Sequence, residues 1–165
     1  MTVEVGLSRG FWSLEFAVSP AATLVLPSAT TRMDGLWKTT CFELFVKSRR
    51  SDRYREFNFA PHMGWAAFDF TSRRRGMERP ALDPEPHLVD IRVGGNRGRY
   101  PDNYELYVGL SADQLSADPA KIGLSAVIEE RGGHKTYWAL RHPPGDPDFH
   151  HPDCFALELP PSDDR

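Results

Sequence analysis

Three neighbouring runs of the chain carry polar side chains suited to a polar ligand that also has an apolar face. In the segment 36–77, LWKTTCFELFVKSRRSDRYREFNFAPHMGWAAFDFTSRRRGM, apolar and polar residues alternate, which is the pattern of half-buried strands. If the aromatic and aliphatic residues face the core, the opposite sheet face presents Glu43, Glu56, Asn58 and Trp65. Carboxylates, an amide and an exposed indole together suit a sugar. The alternative is a solvated sheet face with a scattered tryptophan.

Sugar binding needs flat aromatic rings against the pyranose ring and acceptors for its hydroxyl groups. Glu129 is a further acceptor, and we expect it at the edge of the predicted site. Core packing is the alternative for every tryptophan, and it is preferred for Trp12. The candidate aromatic platforms are Trp37, Trp65 and Trp138.

Three consecutive arginines, Arg73–Arg75, follow the third run on a predicted loop. Guanidinium groups bind carboxylates and phosphates through paired hydrogen bonds, so Arg74 and Arg75 are candidates to close one side of the site. The predicted ligand would then be acidic or phosphorylated instead of a neutral sugar. A solvated turn is the alternative.

Catalysis has less support than binding. Glu43 and Glu56 could act as a paired acid and base, but side chains on adjacent strands reach the required separation without any catalytic role. No sequence feature places a histidine beside Cys41, which a thiol nucleophile would need. The residues therefore favour a binding protein over a lyase or hydrolase.

Strand-like runs separated by turn residues extend along the chain, which predicts a β-sandwich or a closed β-barrel. One helical turn or two can follow Ser111, because Gln114 lies at the spacing of a capping box. A one-residue error in register would invert the faces assigned to any strand. The runs are Val3–Leu7, Trp12–Val18, Thr23–Leu26, Cys41–Lys47, Tyr54–Phe59, Trp65–Phe70, Leu88–Val93, Tyr104–Leu110, Ile122–Glu129, Thr136–Leu140 and Cys154–Leu159.

Composition narrows the class of protein. A chain of 165 residues fits one domain, and a net charge of -3 with a pI near 6.1 argues against a nucleic-acid partner. The N-terminus lacks a signal-peptide pattern and no apolar run approaches the ~18 residues of a membrane span, so we expect a cytoplasmic protein without a membrane partner. Cys41 and Cys154 are expected as buried thiols, with a disulfide as the alternative. The oligomeric state is not predicted.

Several segments in order resemble the DOMON-like superfamily, most closely its small bacterial branch related to family 9 carbohydrate-binding modules. They are LWKTTCFELFV, YREFNFAPHMGWAAFDF, RRRGM and LSAVIEERGGHKTYWALRHPPGDPDFHHPDCFALEL. The resemblance extends from the first strand to Leu159. It implies a sandwich of two antiparallel sheets that binds its ligand, a sugar or a haem in relatives, at a concave face or at the sandwich end. Cys154 departs from the family pattern. The positions that fall on family segments are Trp37, Thr40, Cys41, Glu43, Glu56, Asn58, Trp65, Arg74, Arg75, Gly76, Met77, Glu129, Trp138, His142, Asp148, Phe149 and His150.

The resemblance also raises the question of cofactors. Sugar-binding relatives hold structural calcium through oxygen ligands, which makes Asp148 and Asp153 weak calcium candidates, although a turn capped by Asp148 is favoured. The spacing in Asp148–Asp153 does not match a zinc site. Haem is disfavoured because no attachment motif is present, and no cofactor is expected. The residues that would enter a haem site are Met63, Met77, His62 and His142.

Taken together, the residues and the resemblance predict an all-β, antiparallel two-sheet sandwich, jelly-roll or immunoglobulin-like, with about ten or eleven strands and minimal helix. We expect residues 1–159 to form a single domain and residues 160–165 a disordered tail. The predicted function is non-catalytic binding of a carbohydrate or a similar polar metabolite at a sheet face. An enzyme using Glu43 and Glu56 and a protein-interaction domain are the alternatives.

Overall fold

Two antiparallel sheets packed face to face make up the fold in the computed structural model, which describes residues 1–8, 10–26, 31–94, 102–115 and 118–159. The four-stranded sheet has the order β1-β2-β7-β6. The six-stranded sheet has the order β10-β8-β3-β4-β5, and β9 also pairs with β8. The strands are β1 (Thr2–Ser8), β2 (Phe11–Val18), β3 (Cys41–Ser48), β4 (Tyr54–Phe59), β5 (Trp65–Phe70), β6 (His87–Gly94), β7 (Asp102–Ser111), β8 (Pro119–Glu129), β9 (Lys135–Ala139) and β10 (Leu157–Glu158).

This architecture confirms the predicted antiparallel sandwich, and the barrel alternative is wrong because the strands form two separate sheets. Helix within the described residues is limited to short 3₁₀ turns. One of them follows Ser111 as predicted, and the Gln114 side chain accepts a 2.7 Å hydrogen bond from the Ser111 N–H. The finer jelly-roll or immunoglobulin-like label stays a prediction. The 3₁₀ turns are Leu36–Lys38, Pro61–Met63, Ala112–Gln114 and Pro152–Cys154.

The side chains between the two sheets form what we call the inner core. Phe42 of β3 stacks on Phe16 of β2 with ring centroids 5.0 Å apart, and on Tyr104 of β7 at 6.1 Å. Every second residue of β3 and β4 is buried here, so the alternation predicted for these strands is confirmed, and β7 and β8 follow the same pattern. Further members include Leu14, Leu44, Val46, Phe57, Phe59, Leu106, Val108, Ile122, Leu124 and Ala126.

The opposite face of the six-stranded sheet carries a second apolar cluster, the outer core. Residues 142–156, the cover segment, contribute Phe149 and Phe155 to it. The cover segment lies so close to β8 that a side chain at Gly123 would stand 2.9 Å from the Cys154 carbonyl oxygen, so only glycine fits there. The β-sheet members of the outer core are Cys41, Phe45, Tyr54, Ala66, Phe68, Phe70 and Val127.

Two of the predicted strand faces are wrong. Trp65 lies opposite Phe59 in the β4–β5 register and joins the inner core, with only 3% of its surface exposed. Phe68 of the same strand points to the outer core instead. On β6, the alternation of Val89 with Asp90 predicts that Val89 faces the core, but Leu88 enters the inner core while Val89 is exposed. Both strands have apolar residues at consecutive positions, so alternation alone does not define which face is inside.

Other predictions concern local segments and the cysteines. The Thr23–Leu26 run forms a single bridge from Leu24 to Glu130 instead of a strand, and the last strand begins only at Leu157. Cys41 and Cys154 are buried free thiols, so the disulfide alternative is wrong.

The predicted tail 160–165 lies outside the described residues, and the single-domain assignment stays a prediction. No helix among the described residues is long and apolar enough to cross a membrane.

Candidate functional site

A cavity of about 520 Å³ lies on the outer face of the six-stranded sheet, beside the outer core. Its size falls within the range typical of small-molecule sites. The lining combines five aromatic residues with two carboxyl groups, a guanidinium and an imidazole. The lining residues are Trp37, Glu43, Glu56, Phe68, Phe70, Arg74, Met77, Val127, Tyr137, Pro147, Phe149 and His150.

Two buried carboxyl groups from adjacent strands lie in this cavity. Glu43 on β3 and Glu56 on β4 are diagonal neighbours, because Glu43 pairs with Asn58 in the register of the two strands. The Ser125 hydroxyl donates a 2.6 Å hydrogen bond to Glu43 Oε2, and the Asn58 amide donates a 2.7 Å bond to Glu56 Oε1. Each carboxyl group is therefore fixed through one oxygen, and its orientation depends on a neutral partner.

The cover segment reaches the carboxyl groups through His150. Its Nε2 lies 3.7 Å from Glu56 Oε2, and its Nδ1 is 2.7 Å from the Tyr54 hydroxyl. The same hydroxyl accepts a 3.1 Å hydrogen bond from the Arg74 backbone N–H. Tyr54 thus connects the cover segment, the sheet and the arginine loop at one point.

Two arginines hold Asp148 of the cover segment. Arg74 donates from Nη2 and Nε to Asp148 Oδ1, at 2.8 and 3.2 Å, while Arg73 donates to Oδ2, with its Nε at 3.1 Å. Burial raises the pKa of Asp148, but the hydrogen bonds from Arg73 and Arg74 outweigh it and hold the pKa at about 2. These ion pairs fasten the cover segment over the outer face.

Burial changes the protonation of the two glutamates. Loss of hydration, together with the negative charge of Glu56, raises the pKa of Glu43 to about 8 despite its bond from Ser125. Burial likewise raises the pKa of Glu56 to about 7, with the Asn58 hydrogen bond and the Arg74 charge acting in the opposite direction. At neutral pH the pair therefore retains at least one proton, so it can donate as well as accept hydrogen bonds.

Three other groups around the pair, those of His150, Tyr54 and Cys41, are uncharged at neutral pH. Burial lowers the pKa of His150 to about 4, assisted by the charge of Arg74, so the imidazole is neutral at pH 7. Burial raises the pKa of Tyr54 to about 12. Burial and the charges of Glu43 and Glu56 also raise the pKa of the Cys41 thiol, so Cys41 is not a thiolate nucleophile.

The fold is similar to the crystal structure of a "putative carbohydrate-binding protein" from Bacteroides uniformis. The TM-score is 0.65, the sequence identity is 15%, and the match covers 93% of this chain and 74% of that chain. This likeness shows the fold alone. No protein-family model matches the chain, and no curated protein matches it. Membership of the DOMON-like superfamily therefore stays a prediction.

Four of the residues predicted for the ligand site lie at the cavity and a fifth lies beneath it. Glu43 and Glu56 point into it as expected, but they are 3% and 5% exposed, not solvated. Asn58 is fully buried below them and positions Glu56. Trp37, 40% exposed, lines the cavity and packs edge-on against Phe68. The fourth lining residue is Arg74.

The other four predicted residues lie elsewhere, which corrects the predicted geometry of the site. Trp65 is in the inner core beneath the guanidinium of Arg32, on the face of β5 opposite to the predicted one. Trp138 pairs with Ala126, whose side chain faces the inner core, so its indole points away from the cavity and is exposed. The remaining two, Arg75 and Glu129, do not line the cavity.

Sequence reasoning missed residues that the cavity uses. Tyr137 pairs with Val127 of the outer core and therefore faces the cavity, one position before the tryptophan chosen from the sequence. Phe149 and His150 come from the cover segment, which has no alternation to indicate a buried face. The one available signal was the resemblance, which placed both residues on a family segment without giving them a role.

Metal ligands are not grouped in the described part of the chain: no cluster of three or more His, Cys, Asp or Glu residues is arranged to hold an ion there. Asp148 is occupied by its two arginines, and Asp153 lies 3.8 Å from the His151 ring. Met77 is the one haem candidate that lines the cavity. The expectation that no cofactor binds stays a prediction.

Proposed function

We propose that this protein is a non-catalytic binding module that holds a carbohydrate or a similar polar metabolite in the cavity on the six-stranded sheet. The observation that supports it is the cavity itself. Aromatic rings line it together with the carboxyl groups of Glu43 and Glu56. Rings supply apolar contact area, and carboxyl groups fixed by neighbouring residues supply directional hydrogen bonds.

The protonation of the carboxyl pair fits a ligand with hydroxyl groups. A sugar hydroxyl both donates and accepts hydrogen bonds, and a carboxyl pair that keeps a proton does the same. The walls suit the other side of a sugar, because Trp37, Tyr137 and Phe149 offer apolar surface. The similar fold of the "putative carbohydrate-binding protein" from Bacteroides uniformis agrees with this ligand class.

An enzyme using Glu43 and Glu56 is the second candidate. The raised pKa values of about 8 and 7 are the specific observation in its favour, since general acids and bases near neutrality need such values. Substrate turnover that disappears in Glu56→Gln would support this class over simple binding. A protein-interaction domain would instead bind none of the small molecules offered.

The test compares two exposed tryptophans of the same molecule. Trp37 lines the cavity and Trp138 does not, although the two are similarly exposed, at 40% and 45%. A glycan array followed by calorimetry should identify a sugar whose affinity falls about 10-fold or more in Trp37→Ala, because stacking contact is lost. Trp138→Ala should bind with wild-type affinity. Equal losses in both variants, or no bound sugar, would contradict the proposal.

A further inference from the structure

Each glutamate of the cavity has one oxygen without a hydrogen bond. Glu43 uses Oε2 for Ser125, and Glu56 uses Oε1 for Asn58. Among the described residues, Glu43 Oε1 and Glu56 Oε2 have no hydrogen-bond partner, although both side chains are more than nine-tenths buried. Both oxygens keep some exposed surface, so they are free for a ligand in the cavity.

No basic side chain of the described chain forms a hydrogen bond with either glutamate, and the charge of Arg74 only partly offsets the burial that raises their pKa values. Among the described residues, the one ion-pair distance to either glutamate is the 3.7 Å separation between Glu56 and His150, whose ring is neutral at pH 7. Arg74 lines the cavity, but two of its nitrogens donate to Asp148 and its side chain is 60% exposed. Its charge therefore acts on the glutamates without direct contact, and it lowers both of their pKa values less than burial raises them.

The walls around the carboxyl groups are aromatic. Five aromatic residues line the cavity, and Trp37 and Phe68 form an edge-to-face pair with centroids 5.9 Å apart. Ring faces carry partial negative charge and attract cations, most strongly where water is excluded. Aromatic walls next to carboxyl groups that have no basic hydrogen-bond partner form an environment that favours an ammonium group.

We infer that the bound ligand carries an amine cation, as an amino sugar does, with its ammonium group placed between Glu43 and Glu56. This inference deepens the proposed function and rests on it for the carbohydrate part alone. An ammonium group provides three donors for the two free oxygens. It also places a positive charge in direct contact with both carboxyl groups, so their ionised form becomes favourable in the complex.

The experiment uses three sugars that share one ring. Glucosamine, N-acetylglucosamine and glucose are titrated into the protein by calorimetry at neutral pH, where much of the free amine is protonated and the Glu56 carboxyl, with a pKa of about 7, is partly ionised. We expect glucosamine to bind at least 10-fold more tightly than the other two, since acetylation removes the charge and keeps the ring. Tetramethylammonium serves as a cationic probe without a sugar.

Two variants locate the effect. The double variant Glu43→Gln/Glu56→Gln keeps an acceptor for Ser125 and Asn58 and removes the charge, so its preference for glucosamine should vanish. Glu4→Gln, on exposed β1 of the other sheet, is the matched control and should keep the full preference. Circular dichroism checks that the double variant folds, and if it does not, the wild-type comparison of sugars decides.

The outcomes separate this inference from the proposed function. Equal binding of all three sugars would overturn the cationic ligand and leave carbohydrate binding intact. Binding of tetramethylammonium alone, lost in the double variant, would support the cationic site and contradict the carbohydrate proposal. If neither glucosamine nor tetramethylammonium binds, the inference is overturned, even where another neutral sugar is found.

Discussion

The outward faces of the two sheets differ in what covers them. On the four-stranded sheet, Phe11 and Ser13 face solvent, and Glu15 is half-buried. On the six-stranded sheet, the equivalent face is covered by the cover segment and carries its own apolar cluster. The four-stranded sheet therefore has one buried face and one solvent-exposed face, which we call the wet face. The six-stranded sheet is buried on both sides.

This difference explains where the unusual chemistry is found. A carboxylate on a wet face remains hydrated, whereas Glu43 and Glu56 sit beneath a second layer and lose that hydration. The cavity exists because the cover segment packs on the sheet without filling all of it. Coverage of the outer face thus creates both the space for a ligand and the altered protonation within it.

The first prediction removes an aromatic ring from each outward face. Phe45 is buried in the outer core against Tyr54, His150 and Phe155, so Phe45→Ala should lower the free energy of unfolding by about 3–5 kcal/mol. Phe11 on the other sheet is 49% exposed, so Phe11→Ala should lower the free energy of unfolding by only about 1 kcal/mol. Urea denaturation measures the free energy of unfolding of both variants. Equal losses would mean that packing in the outer core does not stabilise the fold.

The second prediction concerns pH. The ordinary pKa of a glutamate is 4.5, and the fold raises the values for Glu43 and Glu56 to about 8 and 7, so the folded protein binds more protons than the unfolded chain above pH 4.5. Stability therefore falls as pH rises through this window. His150 has a lowered pKa and acts in the opposite direction, but only below its ordinary value of 6.5.

Between pH 6.5 and about 8 the effect of the glutamates should therefore appear alone. We expect the free energy of unfolding to fall there by an amount on the order of 2 kcal/mol. Glu43→Gln should remove more than half of this slope, whereas Glu4→Gln on the wet sheet should leave it unchanged. Urea titrations at several pH values measure the free energy of unfolding. If that free energy does not change with pH in the wild type, Glu43 and Glu56 are hydrated in the folded protein.

The third and smallest prediction separates the ion pairs of the cover segment from an ordinary surface pair. Asp148→Asn should lower the free energy of unfolding by about 1 kcal/mol, because two charge-assisted contacts are lost from half-exposed arginines. Asp52→Asn breaks the exposed pair with Lys47 and should have a smaller effect. The loss at Asp148 should shrink in high salt, and a salt-independent loss would point to packing instead.

The sequence predicted most of the fold, because most strands have one apolar face. Alternation placed Phe42, Leu44 and Val46 correctly, and it also brought Glu43, Glu56 and Asn58 to one face. These strands have polar residues that mark the other side. The predicted sandwich follows from such strands and from the turns between them.

The errors arise where both sides of a strand are apolar or where no strand is present. β5 reads WAAFDF, with aromatic residues on each face, so nothing in its pattern separates Trp65 from Phe68. Tyr137 and Trp138 present the same ambiguity on β9. The contributions of the cover segment depend on contacts between distant parts of the chain, and periodicity carries no information about these.

The cover segment also has a consequence for synthesis of the chain on the ribosome. Ser125 is 82 residues from Glu43 and His150 is 96 residues from Tyr54, so β3 and β4 emerge long before the residues that enclose them. Until then both glutamates face water, where carboxyl groups ionise at neutral pH. Docking of the last segment must therefore be accompanied by proton uptake from the solvent. A lower pH of the surrounding medium would therefore favour the docked state.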